Sequence, residues 1–291
     1  MEPIKGVLEY DEIDREQGVE RTYLYYKRDS LFITTEKQDV DIIESSVWGK
    51  MLFLDHVLQS TTRDEVIYHN ALVHPLMSSL NKKDKILILG GGEGATAREV
   101  LRWDVSNVIM VDYDRELVES MKKYANDWSK GSFNDRRLIV IYDDAWKYME
   151  NTNISYDAVI IDLTDPDYTR QRWISLLTMT LNSVKESCGG IVMNAGHYCP
   201  WNTAKLKKVK AIVEEICTVN KDYKYYIYTA YIPSFNGEWT FIAISHISKF
   251  MMEPEHLDVI PAWIRRSIRT LQNRMIDISA STLPSVQKIK M

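Results

Sequence analysis

The sequence predicts an α/β fold: a doubly wound, mostly parallel sheet flanked by helices, with a small β-domain ahead of it. Three observations carry this. Ile86-Leu87-Ile88-Leu89 breaks into Gly90-Gly91-Gly92-Glu93-Gly94, and a helical pattern follows at once. Strand, glycine turn and helix are how such sheets open a nucleoside-binding crevice. From Lys85 onward, apolar strand-like runs alternate with helical segments, which argues for a parallel sheet with right-handed crossovers. Residues 223–231 and 239–245 then read as an antiparallel hairpin at the end of the sheet, an ending typical of the Rossmann-like sheet of methyltransferase type.

Residues 1–62 form the expected N-terminal β-domain. Segments 22–28, 31–35, 39–44, 50–54 and 57–60 are rich in β-branched and aromatic residues and are separated by turn signals. Ser46-Val47-Trp48-Gly49-Lys50 reads as a hairpin connection. So small a region is expected to pack on its neighbour or on a second subunit. Residues 63–291 form the second, catalytic domain. A helix is expected over residues 64–80, where Ile67, Leu72, Leu76 and Leu80 keep a helical period. Thr61 and Thr62 precede it, Asp64 and Glu65 are acids at its positive end, and Pro75 predicts a kink or a division. Strands follow over 86–89, 108–111, 138–141, 158–161 and 191–193, with helices over 115–125, 172–185 and 203–216. The tyrosines of residues 222–231 read as strand packing, and an amphipathic helix is expected over 261–275.

The 291 residues, 45% of them hydrophobic, suffice for one large domain and a smaller one. A net charge of −5 and a pI near 5.8 leave no basic footprint for nucleic acid. The densest basic run, Lys205-Leu206-Lys207-Lys208-Val209-Lys210, falls on a helical stretch and reads as a solvated face. Cys188, Cys199 and Cys217 are odd in number and lack metal-ligand spacing, as reduced thiols would. The first residues lack the apolar core of a signal peptide, and no apolar run reaches the roughly 18 residues of a membrane span. A soluble, cytoplasmic protein with no membrane or nucleic-acid partner is expected.

The candidate site begins at the glycine turn. Gly90 and Gly92 allow close backbone approach to a ligand. Helix N-termini favour anions, yet Glu93 stands inside this turn. It would repel a phosphate or carboxylate and welcome a cation, so the ligand reads as a nucleoside with a positively charged tail. Asp112 closes the second strand eighteen positions after Gly94, where an acid can accept ribose hydroxyls. Asp144, followed by Ala145, ends the third strand and can take the exocyclic amine of adenine. Asp162 and Asp165 lie just beyond the fourth strand, at the sheet edge where ligands bind. The acids match no metal-ligand pattern, so a site for an amine is expected and a metal is not.

These residues resemble the polyamine aminopropyltransferases, the spermidine synthase family. The glycine turn with its following Arg98-Glu99-Val100, the acid at Asp112, Asp144-Ala145, Asp162-x-x-Asp165-Pro166, Leu54-Asp55-x-x-x-Gln59 and Asp64-Glu65-x-x-Tyr68-His69 carry the likeness, which runs over about residues 37–245. The family joins a β-domain to a Rossmann-like domain, forms homodimers or homotetramers, and moves the aminopropyl group of decarboxylated S-adenosylmethionine to an amine. It holds no permanent cofactor and releases methylthioadenosine. An alkyl amine has a pKa near 10, so freeing its lone pair near neutrality costs about 4–5 kcal/mol. A positioned carboxylate supplies much of that, and alignment of donor and acceptor the rest. The resemblance implies Asp162 as proton acceptor, Tyr68 as its orienting partner, and Asp165 and His69 holding the amine chain. It implies Glu93 on the donor's ammonium, Gln38 and Asp112 on its ribose, and Asp144 with Ala145 on its adenine.

Departures from the commonest spermidine synthases bear on the acceptor. Glu93 replaces an aspartate, Asn70 a glutamate and Phe235 a tyrosine that grips putrescine, and the segment after Pro166 lacks the usual Gly-Pro-Ala. Glu93, Leu163, Asn194-Ala195-Gly196 and Ser234-Phe235 look closer to the thermospermine synthases. Spermidine, thermospermine or spermine synthase activity is compatible with these residues, with putrescine, agmatine, cadaverine, spermidine or spermine as acceptor. Two rivals stand beside this reading. An S-adenosylmethionine-dependent methyltransferase has the same fold, but Glu93 would repel its donor's carboxylate. A non-catalytic polyamine-binding subunit has no need of Tyr68 and Asp162. A dinucleotide dehydrogenase is weaker, since the acidic turn opposes a pyrophosphate.

Overall fold

The computed structural model describes residues 7–14, 18–164, 169–184, 189–200, 202–219 and 222–246. Asp165, Pro166, Cys188 and the helix expected over 261–275 lie outside them. The N-terminal region holds a hairpin of β1 (Val7–Asp14) and β2 (Val19–Tyr26), then an antiparallel meander of β3 (Leu31–Thr34), β4 (Asp39–Ser45), β5 (Gly49–Leu54) and β6 (Val57–Thr61). The β4–β5 turn falls where the sequence placed it. Strand β1 was not foreseen: its alternating acids in VLEYDEID hide an apolar period, and pairing with β2 across the full register supplies what local pattern lacks.

Successive side chains on a strand face opposite ways, and β4 uses both faces. Val40 and Ile42 pack with Leu52 against Ala95, Leu117 and Trp128 of the larger unit. Ile43 packs with Met51 and Phe53 under Tyr23 and Tyr25 of the hairpin. The small sheet is thus sandwiched, as its size requires, and Trp128 Nε1 donates to Ser60 Oγ across the join at 2.8 Å.

Beyond it, α1 (Glu65–Ser79) leads into β7 (Lys85–Gly90), α2 (Ala95–Leu101), β8 (Asn107–Asp112), α3 (Arg115–Tyr124), α4 (Asn126–Ser129), β9 (Leu138–Tyr142), α5 (Ala145–Asn151), β10 (Ala158–Asp162), α6 (Arg170–Ser183), β11 (Gly190–Tyr198), α7 (Ala204–Val219), β12 (Lys224–Ile232) and β13 (Gly237–Ser245). The seven strands lie in the order β12-β13-β11-β10-β7-β8-β9, and β13 runs antiparallel to both its neighbours. Strand order reverses at β7, which pairs in parallel with β8 on one side and β10 on the other. That is the topological switch point where open α/β sheets bind ligands. Ile86 and Ile88 face the α1–α2 layer while Leu87 and Leu89 face α5–α7. All four are fully buried, each contributing about 1.5–3 kcal/mol.

One of the two outcomes expected at Pro75 is ruled out. Pro75 does not divide the helix, which runs through fifteen residues. A proline leaves the carbonyl four residues earlier without its donor, and that carbonyl, of Ala71, accepts Tyr228 Oη at 2.9 Å instead. Asp64 occupies the N-cap position but its carboxylate does not cap. It accepts Thr61 Oγ1 at 2.7 Å, Ser234 N at 2.7 Å and Ser234 Oγ at 3.0 Å, fastening the β12–β13 turn to the start of α1. The described thiols, Cys199 and Cys217, are free. No helix among the described residues is long and apolar enough to cross a membrane.

Candidate active site

A cleft of about 670 Å³ opens at the carboxyl ends of β7, β8 and β10 and is roofed by β5–β6. Eleven of the twelve residues expected at the site line it: Gln38, Tyr68, His69, Gly90, Gly92, Glu93, Asp112, Asp144, Ala145, Asp162 and Phe235. The twelfth, Asp165, lies outside the described residues. Asp55 is a further lining acid, so among the described residues five carboxylates face the cleft against one arginine, Arg172. Such a surface concentrates cations.

The glycine turn is built around Asp162. Gly90 has φ +86°, and a Cβ there would fall 2.2 Å from the Asp162 carbonyl oxygen; Gly91 N donates to that oxygen at 3.2 Å. A Cβ on Gly92 would meet Asp112 Oδ2 at 2.9 Å. Only glycine lets β7 turn this tightly between the two acids.

The Asp162 carboxylate accepts Tyr68 Oη at 3.0 Å on Oδ1 and Thr96 Oγ1 at 2.5 Å on Oδ2. Burial, reinforced by the Glu93 charge, pushes its pKa up to about 6, against His69 and the two hydroxyl donors. A carboxylate so raised is a better proton acceptor than a solvated one and stays ionised at neutral pH. His69 is buried between two acids, with Nδ1 2.9 Å from Glu65 Oε2 and Nε2 2.8 Å from Glu93 Oε1. Burial opposes its charge, but the two carboxylates outweigh this and raise its pKa to about 10. His69, Glu93 and Asp162 bring ligand atoms within 4.8 Å of one another. Both ring nitrogens of His69 face carboxylates, so the cluster can share protons among its own groups.

At the end of β8, burial lifts Asp112 to about 7, helped by the charges of Glu93, Asp114 and Asp162 and opposed by Asp114 N, which donates to Oδ1 at 2.9 Å. Gln38 Nε2 donates to Asp114 Oδ2 at 2.8 Å, which ties the small sheet to this edge. Asp144 caps α5, accepting Trp146 N at 2.9 Å and Lys147 N at 3.1 Å on Oδ1. Arg172 stacks 4.0 Å over the Trp146 ring beside it. At the opposite end, Phe235 lies 4.6 Å from Trp239 and 6.4 Å from Tyr68, ring to ring. Trp239 Nε1 donates to Asn194 Oδ1 at 2.7 Å. An acidic centre with an aromatic bore on one side and the Asp112 and Asp144 edge on the other suits a cationic nucleoside and a long alkyl amine together.

The chain matches the model of the spermine/spermidine synthase domain over residues 65–252. It belongs to the spermine/spermidine synthase family. Membership makes it an aminopropyltransferase. A polyamine aminopropyltransferase of Korarchaeum cryptofilum (strain OPF8) is 34% identical over 229 residues, covering 77% of this chain and 67% of the relative. Another, from Sulfolobus acidocaldarius, is 39% identical over 228 residues, with 77% and 72% covered. The crystal structure of a spermidine synthase from Thermotoga maritima superposes with a TM-score of 0.74 at 22% identity, over 92% of this chain and 96% of that one. That last likeness speaks to the fold of this family member.

Sequence reasoning missed Thr96 and Glu65 as partners of the acids, and Trp146, Arg172 and Trp239 as walls. Glu65 had a usable signal, since it lies four residues before His69 on one helix face. Thr96 and the aromatic walls had none, because what they touch is far away in the chain.

Proposed function

We propose that this synthase-family protein transfers the aminopropyl group of decarboxylated S-adenosylmethionine to a polyamine, releasing methylthioadenosine. The observation that carries the reading is the Asp162 carboxylate, held by Tyr68 and Thr96 at the switch point of the sheet beside Glu93. In this reading the acceptor's ammonium gives its proton to Asp162. Its freed lone pair then attacks the carbon next to the sulfonium, and the thioether leaves neutral. Tyr68 orients the amine. Glu93 takes the donor's ammonium, Gln38 and Asp112 its ribose, and Asp144 with Ala145 its adenine. Gly90 and Gly92 admit its sulfur end, while His69 and Asp165 hold the amine chain.

Phe235 and Trp239 support an acceptor longer than putrescine. They offer apolar rings to methylenes and no hydroxyl to a nearby second ammonium. We further assign residues 1–62 and 63–291 to two domains, the protein to the cytoplasm, and its working form to a homodimer or homotetramer.

The test is incubation with decarboxylated S-adenosylmethionine and putrescine, agmatine, cadaverine, spermidine or spermine, with mass spectrometry of the products. Methylthioadenosine and an amine heavier by one aminopropyl unit are expected, best with spermidine or spermine. No product with any amine, alongside methyl transfer from S-adenosylmethionine, would overturn the reading.

A further inference from the structure

Behind the cleft lies a line of buried charges that the transfer reaction does not by itself demand. Arg98 of α2 grips Glu65 with two nitrogens, Nη1 to Oε1 at 3.0 Å and Nη2 to Oε2 at 2.7 Å. Its Nε donates to Glu99 Oε1 at 2.8 Å, and Nη1 also donates to the Trp128 carbonyl. Glu65 Oε2 in turn meets His69 Nδ1, and His69 Nε2 meets Glu93, which lines the cleft. Glu65, His69 and Glu99 are 4%, 2% and 1% exposed, so none is neutralised by bulk water. The signs alternate along the line: Glu99 negative, Arg98 positive, Glu65 negative, His69, then Glu93.

The geometry decides the charge on His69. Nδ1 lies 2.7 Å from the Glu65 carbonyl and 2.9 Å from its carboxylate. Two acceptors on one nitrogen require it to donate. The fork of Arg98 holds Glu65 ionised, and bidentate pairs of this kind are the strong ones. Nε2 then faces Glu93, and for two ionised carboxylates only a ring protonated on both nitrogens satisfies both. The other groups facing this ring are Asp162 of β10, which its charge also favours ionised, and the Tyr68 ring at 5.1 Å. Lys130, 3.6 Å from Glu65 Oε1, reinforces Arg98 from the solvent side.

We propose that Arg98 and Glu65 are positioning residues that hold His69 as an imidazolium on Glu93, an internal cation filling the place of the ligand's ammonium until a cationic ligand displaces it. This rests on the proposed function for the identity of that ligand. On Glu93 the ring and the donor's ammonium repel each other, and in this proposal arrival of the ammonium expels the ring proton to solvent. The empty cleft thereby avoids an uncompensated cluster of buried acids, and Asp162 is kept free of a proton until substrate arrives.

Imidazole nitrogen-15 NMR of the ligand-free protein, assigned with His69→Gln, tests the first half without any substrate. Wild type should show imidazolium shifts for His69 up to about pH 9, well above the ordinary value near 6.5. Glu65→Gln should lower that midpoint so that the ionisation constant changes at least about tenfold, as one lost charge partner does. Arg98→Lys, which keeps the charge and loses the fork, should lower it less, and it serves if Glu65→Gln fails to fold. Calorimetry at pH 9 with decarboxylated S-adenosylmethionine, in buffers of different ionisation enthalpy, should count close to one proton released per site, and about half as many in Glu65→Gln.

A neutral His69 ring in the wild type at pH 7.5, or variants that titrate with the wild type, would overturn this inference and leave the proposed function standing. Binding with no proton release would overturn the exchange. No binding of the donor at all would overturn the exchange and the proposed function together, even with the imidazolium present.

Discussion

Asp162 concentrates the chemistry at the scale of single residues. A buried carboxylate whose pKa is raised to about 6 accepts a proton only when ionised, so kcat/KM should fall on the acid side with an apparent pKa near 6. Asp162→Asn should retain donor binding and lose about 10²–10⁴-fold in turnover. Near-wild-type turnover would remove Asp162 as the base. The same substitution has a stability consequence whose sign follows from linkage. The native state holds the Asp162 proton up to a higher pH than the unfolded chain, so stability falls as pH rises from about 4 to about 6. Asn has no charge to bury, and Asp162→Asn should therefore melt a few degrees higher than wild type at pH 8, by about 2–4 °C per kcal/mol recovered. A lower melting temperature there would contradict the electrostatic account. Glu93→Gln should weaken binding of the decarboxylated donor at least about tenfold, the worth of a charge-assisted hydrogen bond. Unchanged affinity would show that Glu93 does not receive the donor's ammonium.

At the scale of elements, the site depends on how α1, the glycine turn and the β12–β13 turn are fastened. Tyr228 substitutes for the donor that Pro75 lacks, so Tyr228→Phe leaves the buried Ala71 carbonyl unpaired. A loss of about 1–3 kcal/mol in denaturant unfolding is expected, with kcat largely retained. A loss below measurement would mean that the carbonyl finds another partner. The Asp64 carboxylate fastens the start of α1 to Ser234, next to Phe235. These fastenings explain why α1 was legible as a helix while the tie that carries it past Pro75 was not. Periodicity is a local property, whereas Tyr228 and Ser234, which hold Ala71 and Asp64, lie more than 150 residues away along the chain.

For the whole molecule, the described residues place five carboxylates at the cleft of a protein of net charge −5, so attraction of a cationic amine is a field effect as well as a contact effect. Raising ionic strength from about 0.02 to 0.2 M shortens the screening length roughly threefold and should raise KM for spermidine or spermine severalfold, with kcat nearly constant. A KM indifferent to salt would assign recognition to short-range contacts alone.

What the sequence by itself determined is whatever neighbouring residues decide together. This covers the strand–glycine–helix step at Gly90, the alternation that makes a parallel sheet, the acids at the strand ends, and the absence of a basic face. These are encoded by backbone freedom and by side-chain period, which act over a few residues. Tertiary structure decided what depends on approach from afar. Strand β1 exists because β2 is beside it. Asp162 has its basicity because the folded chain buries it and brings the Glu93 charge beside it, while Tyr68, 94 residues earlier, and Thr96, 66 residues earlier, fix its orientation with their hydroxyls. His69 has its charge because α1 and the glycine turn bring Glu65 and Glu93 to its two nitrogens. Proton affinity is set by burial and by charges a few ångströms away, and only the folded chain specifies those distances.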